Sequence, residues 1–252
     1  MTGDPARIEA WRSLTRARIG LARTGVSQTT DDVLRFALDH ARARDAVWTA
    51  LDTDGLALAL GGEVIRVRSA APDRATYLAR PDLGARLDAE SAARFDTMAG
   101  PAPDLVIVLG DGLSSRALDH APGLVARLRQ GLDDAGWRLA PLVLATQARV
   151  ALGDEIGQRL RAAMALVLIG ERPGLSSPAS LGAYLTWAPA VGRTNAERNC
   201  VSNIGPQGQT AEQAAFTLLW LLQAARRLSC SGIGLKDESN LKHLGPDALR
   251  LT

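Results

Sequence analysis

The sequence predicts an α/β protein in which a Rossmann-like parallel sheet with flanking helices follows a mostly helical N-terminal region. Continuous apolar segments at residues 104–109, 142–144 and 165–169 are typical of strands that are buried on both faces of a parallel sheet. Segments with helical periodicity follow them, the last a long amphipathic helix that Thr210 caps. Strands that alternate with helices form a parallel sheet with helices on both faces.

The first hundred residues are predicted to be mostly helical. The Thr-Thr-Asp-Asp sequence at residues 29–32 offers capping oxygens and early negative charge, and apolar residues then recur at helical spacing. A short strand is expected at residues 64–67, whereas residues 56–60 fit either a helix or the first arm of a hairpin. A second helix is expected to begin near Pro81 and to run towards Met98.

A Gly- and Pro-rich stretch at residues 100–103 is the predicted linker. We therefore divide the chain into a helical region, residues 1–100, and an α/β domain, residues 101–252. Ligands of parallel α/β sheets bind at the carboxyl ends of the strands, where the loops begin. Three loops are therefore candidates for a binding site: residues 110–115, the stretch around Arg149 and Val150, and residues 170–174.

Composition excludes several classes of protein. A formal net charge of +2 is too small to indicate a nucleic-acid-binding or membrane-surface protein. Two cysteines in 252 residues imply no disulfide framework. The N-terminus has no basic start followed by an apolar stretch, and no apolar run is long enough for a membrane span. We therefore expect a cytoplasmic protein with no secretory signal and no membrane partner.

The Gly-Asp-Gly-Leu-Ser sequence at residues 110–114 fits three interpretations. Its glycines could let backbone N–H groups cradle a phosphate, although the spacing matches neither the dinucleotide fingerprint nor the P-loop. It also resembles a Gly-Asp-Ser-Leu esterase block, but Gly112 stands at the position of the nucleophile. The third interpretation is a strand-to-helix turn that needs glycine for its backbone conformation.

Other polar residues are weaker candidates when the sequence is considered alone. Glu171 directly follows a predicted buried strand, so its carboxylate should project at the carboxyl edge of the sheet and accept from a ligand. The alternatives are that it pairs with Arg172 or caps a following turn. Residues 193–203, between strand-like and helical segments, are dense in hydrogen-bonding groups and predict a polar ligand or partner surface. Within them Cys200 fits a small buried hydrophobe better than a ligand contact.

Neither a metal site nor a catalytic constellation is predicted. The three histidines lie far apart in the sequence, and none stands at metal-ligand spacing with a cysteine or carboxylate. A nucleophile, a base and an oxyanion site do not occur at any recognisable spacing.

Several of these blocks, taken together, resemble the small-subunit family of ethanolamine ammonia-lyase over residues 14–235. The two most specific motifs are Gly-Glu-Arg-Pro-Gly-Leu at residues 170–175 and Arg-Asn-Cys-Val-Ser-Asn-Ile at residues 198–204. The others are Ala-Arg-Ile-Gly-Leu at 17–21, Arg-Thr-Gly at 23–25, His-Ala-Arg-Ala-Arg-Asp-Ala-Val at 40–47, Tyr-Leu-Ala-Arg-Pro-Asp-Leu-Gly at 77–84, and Asp-Gly-Leu-Ser at 111–114.

The resemblance implies a subunit of an adenosylcobalamin-dependent enzyme that converts ethanolamine to acetaldehyde and ammonia. In this family the substrate site lies on a large subunit, and the small subunit closes over the cobalamin between the two chains. The family's cobalamin contacts fall on Val150, Glu171 and Cys200, and no catalytic residue is carried over. In the division made above, residues 1–100 would contact the large subunit and residues 101–252 would bind cobalamin.

Some relatives carry a long N-terminal extension associated with encapsulation in a bacterial microcompartment. This chain reaches its first family motif at residue 17, so the resemblance leaves two locations open, the cytoplasm itself and a bacterial microcompartment within it. Two other functions are compatible with the residues alone. One is a free-standing α/β module that binds a nucleotide or phosphate, and the other is a partnerless hydrolase that uses residues 111–114.

Overall fold

A computed structural model of the protein describes residues 5–15, 17–98 and 100–239. Its α-helices are α1 (Pro5–Leu14), α2 (Thr30–Trp48), α3 (Thr53–Leu60), α4 (Arg74–Ala79), α5 (Pro81–Gly84), α6 (Ala89–Asp96), α7 (Ala121–Asp134), α8 (Leu152–Arg159) and α9 (Ala211–Leu228). Its strands are β1 (Arg23–Thr24), β2 (Ser27–Gln28), β3 (Val64–Arg68), β4 (Leu105–Gly110), β5 (Leu142–Thr146), β6 (Met164–Gly170), β7 (Leu181–Trp187) and β8 (Arg198–Ile204). Short 3-10 turns occupy Ser115–His120, Asn195–Glu197 and Gly232–Gly234.

The predicted α/β class is confirmed, but the sheet is mixed. Its six strands lie in the order β3-β5-β4-β6-β7-β8, and β3, β5, β4 and β6 are parallel. Strands β7 and β8 are antiparallel to their neighbours, so the prediction of an all-parallel sheet is wrong for this end. The connections that lead into them, residues 171–180 and 188–197, contain no α-helix and are shorter than a parallel crossover requires. The Rossmann-like topology stays a prediction.

The strand order creates a crevice at the carboxyl edge of the sheet. The chain passes from β4 to β5 on one side of it, and then crosses to β6 on the other side of β4. Loops that leave β4 and β6 therefore diverge, which is the position where ligands bind to open α/β sheets. The turn after β4 and Glu171 after β6 both lie at this edge.

The segment 193–203, which we predicted to be a polar ligand or partner surface between strand-like and helical segments, is largely a strand. Residues 198–204 form β8 at the edge of the sheet, with Cys200 opposite Tyr184 and Arg198 opposite Thr186. Its alternation of buried and accessible side chains is irregular, which explains why the sequence showed no clear strand pattern.

Helix boundaries follow the capping side chains. The side chain of Thr29 accepts from the N–H of Asp32 at the start of α2, as predicted. Residues 56–60, which fitted two alternatives, belong to helix α3. The single helix expected from Pro81 towards Met98 is wrong, because the chain forms two short helices there and Asp88 caps the second, accepting from Ser91 N at 2.8 Å.

Two hydrophobic clusters cover the two faces of the sheet. Helices α3, α7 and α9 pack on one face, and α6 and α8 pack on the other. Strand β3 pairs with β5, so the sheet takes one strand from before residue 100 and the rest from after it; the division into two domains stays a prediction. Among the described residues, no helix has both the length and the apolarity that a bilayer span requires.

Candidate cofactor site

The turn after β4 is held by a buried carboxylate. Asp111 accepts from the backbone N–H groups of Gln147 and Ala148, each at 3.0 Å. Its Oδ2 also lies 3.5 Å from a guanidinium nitrogen of Arg74, a side chain that is 13% exposed. Burial raises the pKa of Asp111, while these hydrogen bonds and the arginine act in the opposite direction. The turn is thus bound to the loop that carries Val150.

Close packing accounts for the glycines of this turn. Gly112 has a φ of 55°, and a Cβ placed on it would lie 2.2 Å from the carbonyl oxygen of Gly170. The N–H of Leu113 donates to that same oxygen at 2.9 Å, and the N–H of Asp111 donates to Ala145 O at 3.3 Å. Because these amides already have partners, the turn is a poor phosphate cradle. The structural interpretation is therefore the one that fits.

The hydrolase interpretation has no support in the geometry. Ser114 is fully buried, and its hydroxyl donates to the carbonyl oxygen of Pro178 at 2.9 Å. A nucleophile needs both access to a substrate and a nearby base. The hydroxyl of Ser114 is not exposed, and it is hydrogen-bonded to a backbone carbonyl oxygen rather than to a histidine.

Val150 lies in the connection between β5 and α8. Its half-buried side chain packs against the hydrophobic cluster on the α8 face of the sheet. The preceding residue is held firmly, because Arg149 N donates to Gly84 O at 2.8 Å and its guanidinium lies 4.2 Å from the ring centre of Tyr77. Val150 is therefore presented from a loop with a defined backbone.

Glu171 lies immediately after β6 and is half-buried. One oxygen of its carboxylate, Oε2, accepts from the Ser180 hydroxyl at 2.5 Å and from the N–H of Asn203 at 3.3 Å. Among the described residues, both hydrogen-bond donors of this carboxylate bind Oε2. The other oxygen, Oε1, lies over Gly182, 2.9 Å from where a Cβ would stand. These partners, rather than Arg172, orient the side chain.

Cys200 lies on β8, directly opposite Tyr184 of β7. Cys200 is exposed to solvent and Tyr184 is half-buried. Partial burial raises the pKa of the Cys200 thiol and the nearby Glu171 carboxylate adds to this, whereas the Tyr184 hydroxyl, a hydrogen-bond partner, lowers it. The low expectation for Cys200 as a ligand contact came from treating it as a buried residue, and that premise is wrong.

Two of the three residues carried over from the family resemblance, Glu171 and Cys200, lie beside Tyr184. The ring of Tyr184 packs against the same hydrophobic cluster as Val150. Its phenol group interacts with both Cys200 and Glu171. Sequence reasoning missed Tyr184. Apolar residues alternate with others at Leu181, Ala183 and Leu185, and this pattern predicts a strand with Tyr184 on the face opposite to those three side chains.

A buried ion pair joins two of the elements next to these residues, β8 and α8. Arg198 of β8 contacts Asp154 of α8, and the two side chains are only 3% and 2% exposed. Burial raises the pKa of Asp154, and its hydrogen bond with Arg198 opposes that effect. The pair joins the helix that follows Val150 to the strand that carries Cys200. Within the described residues, no three His, Cys, Asp or Glu side chains lie close enough to hold a metal ion.

Known proteins share this sequence over most of its length. The family model described as ethanolamine ammonia-lyase light chain (EutC) matches residues 5–236. The ethanolamine ammonia-lyase small subunit of Rhodopseudomonas palustris strain BisA53 is 55% identical over 237 residues, which cover 92% of this chain and 90% of that protein. The small subunit of the same name from Bradyrhizobium diazoefficiens is 53% identical over 234 residues, covering 90% and 89%.

A third relative is more distant and gives the same result. The ethanolamine ammonia-lyase small subunit of Pseudomonas paraeruginosa strain PA7 is 48% identical over 246 residues, which cover 95% of this chain and 90% of that protein. The chain therefore belongs to the ethanolamine ammonia-lyase light chain family and is a subunit of that lyase.

Proposed function

We propose that this chain holds adenosylcobalamin against the large, catalytic subunit of ethanolamine ammonia-lyase, which converts ethanolamine to acetaldehyde and ammonia. The cofactor supplies the radical chemistry when it is bound, and the protein supplies binding, orientation and electrostatics. Val150, Glu171 and Cys200 are the proposed cofactor contacts. No catalytic residue is assigned to this chain, because the substrate site of the family lies on the large subunit.

The observation that supports the proposal is that Glu171 and Cys200 both lie beside Tyr184, while Val150 packs against the same hydrophobic cluster as Tyr184. Adenosylcobalamin carries amide and hydroxyl donors around a broad ring, so it needs acceptors on an open surface. Glu171 offers Oε1, which lies over Gly182 and is separate from the oxygen that Ser180 and Asn203 engage. The side chains of Val150 and Cys200 add apolar contact.

The N-terminal region is the proposed surface for the large subunit. Helix α2 has 19 residues, of which Ala46 is fully buried, so most of the helix is in contact with solvent. Phe36 and Trp48 are 48% and 56% exposed on it, and Trp11 of α1 is 48% exposed. Large apolar side chains of this kind are buried when a partner covers them, which supports a protein interface on this region. The names of the relatives, which are small subunits, imply that a larger partner exists.

Adenosylcobalamin should protect Cys200 from alkylation in the assembled complex. We would treat the two-subunit complex with iodoacetamide, with and without adenosylcobalamin in the dark, and quantify tryptic peptides by mass spectrometry. Cleavage after Arg198 and Arg226 isolates Cys200 in the peptide 199–226, and Cys230 falls in the peptide 228–236. The cofactor should slow alkylation of Cys200 in step with its occupancy and leave Cys230, the internal control, unchanged. Equal rates for Cys200 with and without bound cofactor would refute the proposed site.

Activity should require both subunits. The purified chain, given ethanolamine and adenosylcobalamin, should form no acetaldehyde, and addition of the large subunit should restore the reaction. Acetaldehyde production by this chain in the absence of any large subunit would contradict the proposed division of roles. The proposal places the enzyme in the cytoplasm, and encapsulation in a bacterial microcompartment is the alternative that cell fractionation would distinguish.

A further inference from the structure

Tyr184 lies beside two of the proposed cofactor contacts, Glu171 and Cys200. It stands opposite Cys200 in the register of β7 and β8. A Cβ on Gly182 would lie 3.1 Å from the Tyr184 ring and 2.9 Å from Glu171 Oε1, so the ring and the carboxylate share the space above this glycine. Tyr184 is thus next to Cys200 of β8 and next to the carboxylate of Glu171, which follows β6.

The hydroxyl of Tyr184 has a role that a phenylalanine could not fill. Burial raises the pKa of Tyr184, and the Cys200 thiol and the Glu171 carboxylate raise it further. The phenol therefore stays protonated near neutral pH and acts as a hydrogen-bond donor. A partly buried tyrosine hydroxyl usually has a partner, and the group that we assign to it is the thiol of Cys200, which stands at the paired position on β8.

We propose that Tyr184 is a positioning residue of this site: its hydroxyl holds the thiol of Cys200, and its ring supports the carboxylate of Glu171. The inference rests on the proposed function, because these two side chains are proposed cofactor contacts. Tyr184 orients both from between them. Loss of the hydroxyl should therefore change Cys200 directly and cofactor affinity indirectly.

The first arm of the test needs no cofactor. The alkylation rate of Cys200 is measured against pH through the peptide 199–226. In Tyr184→Phe the thiolate loses its donor, so the midpoint of the pH profile should rise and the rate near pH 8 should fall about two- to tenfold. Glu171→Gln removes a negative neighbour, so the midpoint should fall. Glu212 and Asp237 line the groove next to Cys200 and are unchanged in both variants.

A matched control lies on the same strand. Trp187 is an aromatic residue of β7 that packs on the opposite face, with the α9 cluster. Trp187→Phe should leave the alkylation profile of Cys200 unchanged. Opposite shifts in Tyr184→Phe and Glu171→Gln are expected; shifts in the same direction, or none, would overturn the proposed contacts.

The second arm measures adenosylcobalamin affinity of the reconstituted complex. Tyr184→Phe should weaken binding by up to about tenfold with an unchanged melting temperature, and Glu171→Ala should weaken it more. An altered thiol profile with unchanged affinity in Tyr184→Phe, while Glu171→Ala binds poorly, would refute the role of Tyr184 and leave the proposed function intact. Unchanged affinity in both variants would refute the proposed function itself.

Discussion

Replacement of Glu171 distinguishes a cofactor contact from a scaffold residue. Its Oε2 accepts from Ser180 and from Asn203, and these two bonds tie the end of β6 to the two antiparallel strands. In Glu171→Ala both are lost from a half-buried site, which should lower the free energy of unfolding by about 1–2 kcal/mol. For a chain of this size, that corresponds to a fall in the melting temperature of about 2–8 °C.

The effect on cofactor affinity comes from the other oxygen. A neutral donor of the cofactor that bonds to Oε1 of a charged carboxylate contributes about 1.5–3 kcal/mol. Glu171→Ala should therefore weaken adenosylcobalamin binding by about ten- to a hundredfold. Glu171→Gln keeps the shape and one acceptor oxygen for Ser180 and Asn203, so it should lose less affinity and little stability.

The assay compares affinity and melting temperature on the same preparations. Adenosylcobalamin binding is titrated in the two-subunit complex, and melting is recorded at one fixed protein concentration without cofactor. Glu212→Gln is the control, because it neutralises an exposed carboxylate of α9 that lies beside Cys200. A lowered melting temperature with unchanged affinity, in both Glu171 variants, would show that Glu171 is part of the scaffold and would refute the reasoning above.

Three further predictions concern folding, each measured by urea unfolding of the chain followed through tryptophan fluorescence. Asp154→Asn leaves the charge of Arg198 buried and uncompensated, so the free energy of unfolding should fall by about 3–5 kcal/mol. No measurable fall would contradict the buried ion pair. Gly112→Ala places a side chain on a left-handed backbone, where it clashes with Gly170, and should lower the free energy of unfolding by at least about 2 kcal/mol. An unchanged free energy of unfolding would contradict this. Hydrogen bonds from backbone and side-chain donors lower the pKa of Glu197 to about 2 in the folded protein. The ionised carboxylate should therefore stabilise the fold fully above 4.5, the pKa of the unfolded state. The difference from Glu197→Gln should thus shrink as the pH falls from 4.5 towards 2, and a difference that grows there would have the wrong sign.

The parallel half of the fold could be predicted because its strands are continuous apolar segments. Residues 104–109 and 165–169 agree with β4 and β6 to within a residue or two, and Thr210 caps α9 by accepting from Gln213 N as expected. Such strands are buried on both faces, so hydrophobicity alone identifies them. The turn chemistry at Gly112 was also foreseen as one of three alternatives.

The antiparallel strands could not be predicted in the same way. Strand β8 carries Asn, Cys and Ser among its residues. Part of one of its faces is open, and it is the last strand of the sheet formed by the described residues. Polar composition of that kind is typical of loops as well as of edge strands, so sequence pattern did not separate them. Likewise the contact of Arg74 with Asp111 joins residues far apart in sequence, and helical periodicity says nothing about it.

The candidate site shows the same division. Physical reasoning selected Glu171, because the carboxyl edge of a parallel sheet follows from the strand alone. It placed Val150 in a candidate loop but gave it no role of its own, because its side chain has no polar group, and it undervalued Cys200. Those two residues came from the family resemblance. Tyr184 came only from the three-dimensional arrangement, since its neighbours belong to different strands.

The two antiparallel strands also affect how readily the binding surface can change. Parallel strands must be connected by crossovers that lay a helix over the sheet, whereas β7 and β8 extend it through short reversals. The sheet therefore gains width at this end without a crossover helix between the two strands, and α9 packs on one face of both. The inner face of β7 still contributes Leu181, Ala183 and Leu185 to the core. The core side chains of β7 and the pair of Tyr184 and Cys200 thus lie on opposite faces of one strand layer, so a change at Cys200 leaves the side chains that β7 contributes to the core in place.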